Sequence, residues 1–267
     1  MTEHTEHTER NREALLVKTT SFPSLAELFG TAAPCLIAGP CAVESLDQAE
    51  AIAQALVRCG IKVMRGGAYK PRTSPYDFQG LGEDGLKILD FIRQKYGVLI
   101  VTEILDPRDL ELGVRYADMI QIGSRNMQNT SLLKEAGQTM HPVMLKRGMM
   151  STLKEFMFAA EYIAQTGNHK LILCERGIRT FETSTRNTLD ISSAAIIKQE
   201  TSLPVIVDLS HSLARKDILL PVAKAVLALG VDALMVEAHN DPASALSDAA
   251  QQLSLPELEE FAADLFC

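Results

Sequence analysis

Eight short apolar runs, each carrying or leading to a charged or metal-ligating residue, recur along this chain. CLIAGP (35–40) runs into Cys41. VMRGGA (63–68) carries Arg65 and leads to Lys70 and Arg72, and VLIVTE (98–103) ends at Glu103. MIQIG (119–123) leads to Arg125, PVMLKR (142–147) ends on Lys146 and Arg147, and KLILCER (170–176) ends on Arg176. VIVDLS (205–210) runs into His211, and ALMVEA (233–238) carries Glu237. The runs are rich in Val, Ile and Leu with little alternation, as strands buried on both faces of a parallel sheet read. Helical patterns lie between them. Residues 46–60 place Ile52, Ala55, Leu56 and Cys59 on one stripe and stop at Gly60. Residues 84–97 do the same with Leu86, Leu89, Ile92 and Tyr96 and stop at Gly97. Segments 152–167 and 214–230 also close on glycine. Ser254-Leu-Pro-Glu257 reads as a capping box before a helix over 255–265.

Strands starting at about 35, 63, 98, 119, 142, 170, 205 and 233 make eight strand–helix units. Such alternation implies parallel strands with right-handed crossovers. An open doubly wound sheet competes, but the chain has no GxGxxG turn, and eight units suit a (β/α)8 TIM barrel better. The barrel is expected over residues 31–267, after a short N-terminal extension, 1–30. The polar Thr-Glu-His repeat that opens the chain suggests that this extension is partly disordered.

Composition narrows the function. A net charge of −8 argues against a general nucleic-acid or anionic-membrane surface. No apolar run approaches the roughly 18 residues of a membrane span, and the start lacks the apolar centre of a secretory signal. The five cysteines (Cys35, Cys41, Cys59, Cys174 and Cys267) are odd in number and contain no CxxC pair. Free thiols in a cytoplasmic protein are therefore expected.

In a (β/α)8 barrel the strand C-termini open into one mouth, so residues distant in sequence form one constellation. Cys41, His211, Glu237 and Asp248 follow strands 1, 7, 8 and 8, which are neighbours once the barrel closes. This mixed S/N/O set suits a divalent transition ion (Mn, Fe, Co, Cu or Zn) better than Mg or Ca. A small buried cysteine with solvated loop carboxylates is the competing reading. Arg65, Lys70, Arg72, Arg125, Lys146, Arg147, Arg176 and Arg179 lie at or just past strand ends 2 to 6. Such a ring points to an anionic small molecule with more than one phosphate or carboxylate, because arginine forks match both groups. Glu103 has no assigned partner. Asp208 reads either as support for His211 or as a cap, and His239 as structural or peripheral.

At these residues a family becomes recognisable. GPCAVES (39–45), MRGGAYKPRTSPYDFQG (64–80), QIGSRNMQN (121–129), LKRG (145–148), CERGIRTFE (174–182), DLSHS (208–212) and ALSDAAQ (245–251) together resemble 3-deoxy-D-arabino-heptulosonate 7-phosphate (DAHP) synthase of the type I-beta branch. The resemblance covers roughly 34–255. It implies condensation of phosphoenolpyruvate with erythrose 4-phosphate, with release of phosphate, as the first step of the shikimate pathway. It also implies metal ligands at Cys41, His211, Glu237 and Asp248, with Lys70, Cys41 and His211 serving catalysis. Phosphoenolpyruvate contacts are implied at Arg65 and Lys70 (carboxylate) and at Arg125, Lys146 and Arg176 (phosphate). Arg72 and Thr73 of KPRTS are implied for the aldose phosphate. A homo-oligomer, tetramer or dimer, is expected on the same ground. Two alternatives stand beside it. One is the sister 3-deoxy-D-manno-octulosonate 8-phosphate synthase using arabinose 5-phosphate, from which KPRTS departs; the other is a non-catalytic barrel partnering a chorismate mutase. The family often has Pro at Leu209 and Gly near Ala214, so loop seven is expected to differ. Only about 30 residues precede the barrel, so no built-in feedback site is expected.

Overall fold

The computed structural model describes residues 15–72 and 74–265. Eight strands form a closed parallel barrel in sequence order. They are β1 (Cys35–Gly39), β2 (Val63–Arg65), β3 (Leu99–Glu103), β4 (Met119–Ile122), β5 (Val143–Lys146), β6 (Leu171–Glu175), β7 (Val205–Asp208) and β8 (Ala233–Glu237). The ring closes where β1 meets β8, in a register running from Cys35↔Ala233 to Gly39↔Glu237. β2 is shorter than its apolar run; past Arg65 only an isolated bridge, Ala42↔Gly67, continues the pairing. Helices Leu46–Arg58, Glu83–Tyr96, Leu153–Ala164 and Leu255–Leu265 occupy the predicted segments. Their caps are local: Thr152 and Glu155 form a capping box, and Ser254 and Glu257 exchange backbone-to-side-chain hydrogen bonds of 2.7 and 3.4 Å. No helix among the described residues is long and apolar enough to cross a membrane.

Side chains alternate along each strand, which separates two apolar layers. Leu36, Ala38, Met64, Ile100, Ile120, Leu145, Leu173, Val207 and Leu234 join the core shared with the surrounding helices. Ile37, Val63, Val101, Met119, Met144, Ile172, Cys174, Ile206, Ala233 and Met235 form a second cluster, which fills the barrel. Leu25 belongs to that inner cluster, with Leu28 and Phe29 packed against it. It sits on the short helix Leu25–Phe29, which has a Ser24–Glu27 capping box. This segment, read from sequence as part of an extension, thus inserts a side chain into the barrel interior. Upstream, Glu161 accepts the backbone N–H groups of Leu16 and Val17 at 3.1 and 3.2 Å, and Ser202 Oγ accepts that of Phe22 at 2.8 Å. The disorder expected near the chain start concerns residues 1–14, which lie outside the described residues. Leu25→Ala should destabilise the protein by about 2–5 kcal/mol, the usual cost of a buried leucine truncation, as read by urea unfolding.

The segment predicted as a helix over 214–230 is helical only over Leu219–Leu227. A short helix, Leu209–Leu213, ends at Ala214, which has φ 51° and ψ 25°, and the next helix begins only at Leu219. Left-handed backbone is costly for a residue with a Cβ. Ala214→Gly should raise unfolding stability by about 0.5–1 kcal/mol; a variant less stable than the parent would show that the strain is not there.

Candidate active site

The same alternation builds the mouth. Two residues above the inner apolar layer stand Arg65 (above Val63), Glu103 (Val101), Gln121 (Met119), Lys146 (Met144), Asp208 (Ile206) and Glu237 (Met235). Six of the eight strands therefore send their last inward side chain into the mouth, and Arg176, two residues past Cys174, continues β6 in the same phase. One cavity is lined by Arg65, Lys70, Arg72, Arg125, Lys146 and Arg176 together with His211 and Asp248. Arg147 is one residue out of phase. Its guanidinium pairs with Glu175 and Asp190, each at 2.8 Å, and also donates to Ser151 O. The strand-end cation at 147 is thus a structural ion pair rather than part of the cavity wall. Arg179 is exposed and does not line the cavity.

Cys41, Glu237 and Asp248 present ligand atoms within 4.8 Å of one another. His211 stands beside two members of this group: its Nε2 lies 3.5 Å from Glu237 Oε1 and 3.7 Å from Asp248 Oδ2. Asp208 sets the ring. Its Oδ1 accepts the His211 backbone N–H at 3.0 Å, capping the short helix, and its Oδ2 lies 2.8 Å from Nδ1. Both earlier readings of Asp208 therefore hold together. Burial lowers the His211 pKa, so the neutral ring donates from Nδ1 and keeps its Nε2 lone pair. That lone pair faces two carboxylate oxygens; Glu237 Oε1 accepts no hydrogen bond, and its charge is met by Arg65 Nη1 at 3.1 Å. Three electron-rich atoms facing one another in a buried site are stabilised by a cation between them. Cys41 Sγ stands 3.4 Å from Asp248 Oδ2 and 2.8 Å from Ser247 Oγ. Burial pushes the Cys41 thiol up to about 12, and the Glu237 charge acts in the same direction; a bound cation would reverse this by stabilising the thiolate. Burial would raise the Asp248 carboxyl, but Arg186 and Lys70 hold it down at about 2. Asp248 has left-handed backbone at φ 48°, a strained position for a non-glycine residue. The four side chains thus fit a divalent cation by donor chemistry, a thiol, an imidazole and two carboxylates.

The cationic arc is equally specific. Arg65 Nη1 is 3.1 Å from Glu237 Oε1, and Lys70 donates to Cys41 O at 3.1 Å. Burial works against the charge on Lys70, but Glu103 and Glu237 raise its pKa, so it stays protonated. Lys146 pairs with Asp208. Arg72 donates Nε–H to Phe78 O at 2.8 Å, while its buried Nη2 has no partner, and Arg65 Nε is in the same condition. Arg125 lies on the Ser124–Asn126 turn and reaches the cavity while remaining exposed. Thr73 lies outside the described residues. Glu103, unassigned from sequence, accepts from Gln121 Nε2 at 3.2 Å and helps hold the charges of Arg65 and Lys70. Gly123 makes room for it, since a Cβ there would sit 1.8 Å from Glu103 Oε1. His239 is buried, with Nε2 3.4 Å from Glu44 Oε2 and Nδ1 accepting the Asp241 N–H. Sequence reasoning missed Arg186, which lines the cavity and lies 3.4 Å from Asp248 Oδ1. It comes from a long loop rather than a strand end, so the strand pattern gives no signal for it.

A (β/α)8 barrel whose mouth joins a mixed-donor group that could hold a cation to a wall of arginines and lysines is the arrangement of an enzyme for small anions. The comparisons narrow this class. The profile of the DAHP synthetase I family matches residues 16–265, and the chain belongs to that family. The phospho-2-dehydro-3-deoxyheptonate aldolase of Thermotoga maritima is 53% identical over 230 residues, covering 86% of this chain and 68% of the relative. A crystal structure of that enzyme superposes with a TM-score of 0.84 at 52% identity, covering 87% of this chain and 68% of the other. The 2-dehydro-3-deoxyphosphooctonate aldolase of Syntrophotalea carbinolica is more distant, 32% identical over 84% of this chain and 87% of its own length. The heptulosonate-forming, carbon–carbon bond-making reading is therefore the supported one, and the octulosonate reading recedes.

Proposed function

We propose that the mouth binds phosphoenolpyruvate and erythrose 4-phosphate side by side and joins them into 3-deoxy-D-arabino-heptulosonate 7-phosphate. The observation that carries this reading is the single cavity wall shared by Arg65, Lys70, Arg72, Arg125, Lys146 and Arg176. Two of these arginines, Arg65 and Arg72, hold buried N–H groups without partners. Arg65 and Lys70 take the carboxylate of phosphoenolpyruvate, and Arg125, Lys146 and Arg176 take its phosphate. Arg72 and Thr73 receive the phosphate of the aldose. Cys41, His211, Glu237 and Asp248 would hold a divalent ion, of the Mn, Fe, Co, Cu or Zn type by donor softness. Bound there, such an ion would supply Lewis-acid polarisation of the aldehyde.

The chain's own side chains do the rest. The cations bring two mutually repelling anions together and orient C3 of phosphoenolpyruvate towards the aldehyde carbon. Positive charge then develops at C2, water adds there, and phosphate leaves by C–O cleavage. Lys70, protonated and buried beside Cys41, gives its proton to the new alkoxide.

A phosphate-release assay with each aldose phosphate, with and without chelator, tests the assignment. Turnover is expected with erythrose 4-phosphate and not with arabinose 5-phosphate; the reverse preference would replace this reading with the octulosonate one. Arg72→Ala should raise the KM for erythrose 4-phosphate by roughly 10- to 100-fold, since a charge-assisted contact is worth about 1.5–3 kcal/mol. The KM for phosphoenolpyruvate should change much less. Equal changes in both would remove the role given to Arg72.

A further inference from the structure

Gln251 is a buried side chain on the turn Ala249–Gln251, three residues past Asp248. Its carboxamide has one permitted orientation. Arg186 Nη1 lies 2.6 Å from one of its two polar atoms, and a guanidinium only donates, so that atom is the carbonyl Oε1. Nε2 is thereby turned onto two carboxylates. It donates to Glu237 Oε2 and lies 3.5 Å from Asp248 Oδ2. Glu237 Oε1 is then left free of Gln251, 3.5 Å from His211 Nε2 and 3.1 Å from Arg65 Nη1.

The residue that orients Gln251 is itself anchored to the histidine segment. Arg186 N donates to Leu213 O at 3.1 Å, Asn187 N donates to Ser212 O at 2.8 Å, and Asn187 Nδ2 donates to His211 O at 2.8 Å. The loop after β6 therefore ties the segment bearing His211 to the turn bearing Asp248 and Gln251, although it carries none of the four proposed ligands. We infer that Gln251, oriented by Arg186, is a positioning residue for the cation site. It holds Glu237 and Asp248 so that their remaining lone pairs converge with those of Cys41 and His211. This role presupposes the metal reading of those four residues.

A titration with Co(II) tests it on the chelator-treated full chain, followed by the thiolate-to-cobalt absorption band. The wild-type protein should show a band that Cys41→Ala abolishes. Gln251→Leu, of similar size and without either amide function, should weaken Co(II) binding by about 10- to 100-fold and shift or diminish the band. Arg186→Leu should move binding the same way. The double variant should be no weaker than the product of the two losses, because both act on the same carboxylates. A folded Gln251→Leu with wild-type affinity and an unchanged band would overturn the inference. If that variant does not fold, Gln251→Asn, which retains the amide but is one methylene shorter, should give the same loss, and wild-type binding there would overturn it equally. Lack of a Cys41-dependent band in the wild-type protein would overturn the metal reading first and this inference with it.

Discussion

Cys41→Ala is expected to abolish turnover of phosphoenolpyruvate with erythrose 4-phosphate, lowering kcat by on the order of 10³-fold, or about 4 kcal/mol of transition-state stabilisation. The thiol is fully buried, and its sulfur stands 3.4 Å from Asp248 Oδ2. Burial and the Glu237 charge keep it protonated without a cation, with a pKa pushed up to about 12. It therefore has little value as a nucleophile or base by itself. What a buried thiolate can do here is balance a bound divalent ion, together with His211, Glu237 and Asp248. The variant should lose affinity for transition ions far more than it loses stability, because the substitution removes a single sulfur from a small side chain. Cys41→Ser retains an oxygen donor, and should recover part of the binding but little of the selectivity for soft ions. Phosphate release at the wild-type rate by Cys41→Ala in chelator-treated buffer would rule the metal assignment out.

The barrel was legible because eight apolar runs alternate with helical stripes, and the structure adds the phase within each run. The inner side chains Met144, Ile206 and Met235 and the mouth side chains Lys146, Asp208 and Glu237 are separated by two residues, as a pleated strand requires. The same rule separates Lys146 from Arg147. Both end the same apolar run, but only Lys146 shares the phase of Met144, while Arg147 points outward to Glu175 and Asp190. Charge and position at a strand end place both in the mouth; phase admits only one. Gly39 marks where another backbone approaches closely, since a Cβ there would lie 2.1 Å from Arg65 O. Its sequence context does not announce that contact.

What the sequence left unread lies off the strands. Leu25 enters the inner barrel from a short helix upstream of β1, and no periodicity links it to Ile37 or Met144. Gln251 and Arg186 come from a turn and a long loop, and their meaning depends on a hydrogen bond between residues 65 positions apart. Uncharged Gln251 has no chemistry that singles it out until its partners are known. The late helix start at Leu219 is similar: the apolar pattern over 214–230 is compatible with helix throughout, but the chain ends His211's helix at Ala214 and begins the next only at Leu219. His211 is thereby held by Asp208 at its own N-terminus rather than carried on a long helix.

Asp208→Asn should have the second large effect, on stability and on the cation site together. Asp208 is fully buried and answers both Lys146, which is 4% exposed, and His211 Nδ1. Burial would raise its carboxyl, but the Lys146 ammonium, the hydrogen bond from the His211 ring and the Arg65 guanidinium hold it well below the usual carboxylate range. An amide of the same size leaves Lys146 buried without a counter-charge, which typically costs about 3–5 kcal/mol. If the amide N–H turns towards His211, the ring must accept at Nδ1 and carry its proton on Nε2, the atom facing Glu237 and Asp248. Metal affinity should then fall about 10- to 100-fold as well. The sign with pH follows from a depressed folded-state pKa. The stabilisation is complete above the unfolded carboxyl range, near pH 4, and is lost as pH falls through the folded value. The stability gap between wild type and Asp208→Asn should therefore be flat from pH 8 to about pH 5 and narrow only in more acidic solution. Urea unfolding across that range measures it. A gap under about 1 kcal/mol at neutral pH, or one that widens as acid is added, would show that Asp208 does not hold Lys146 in the way described.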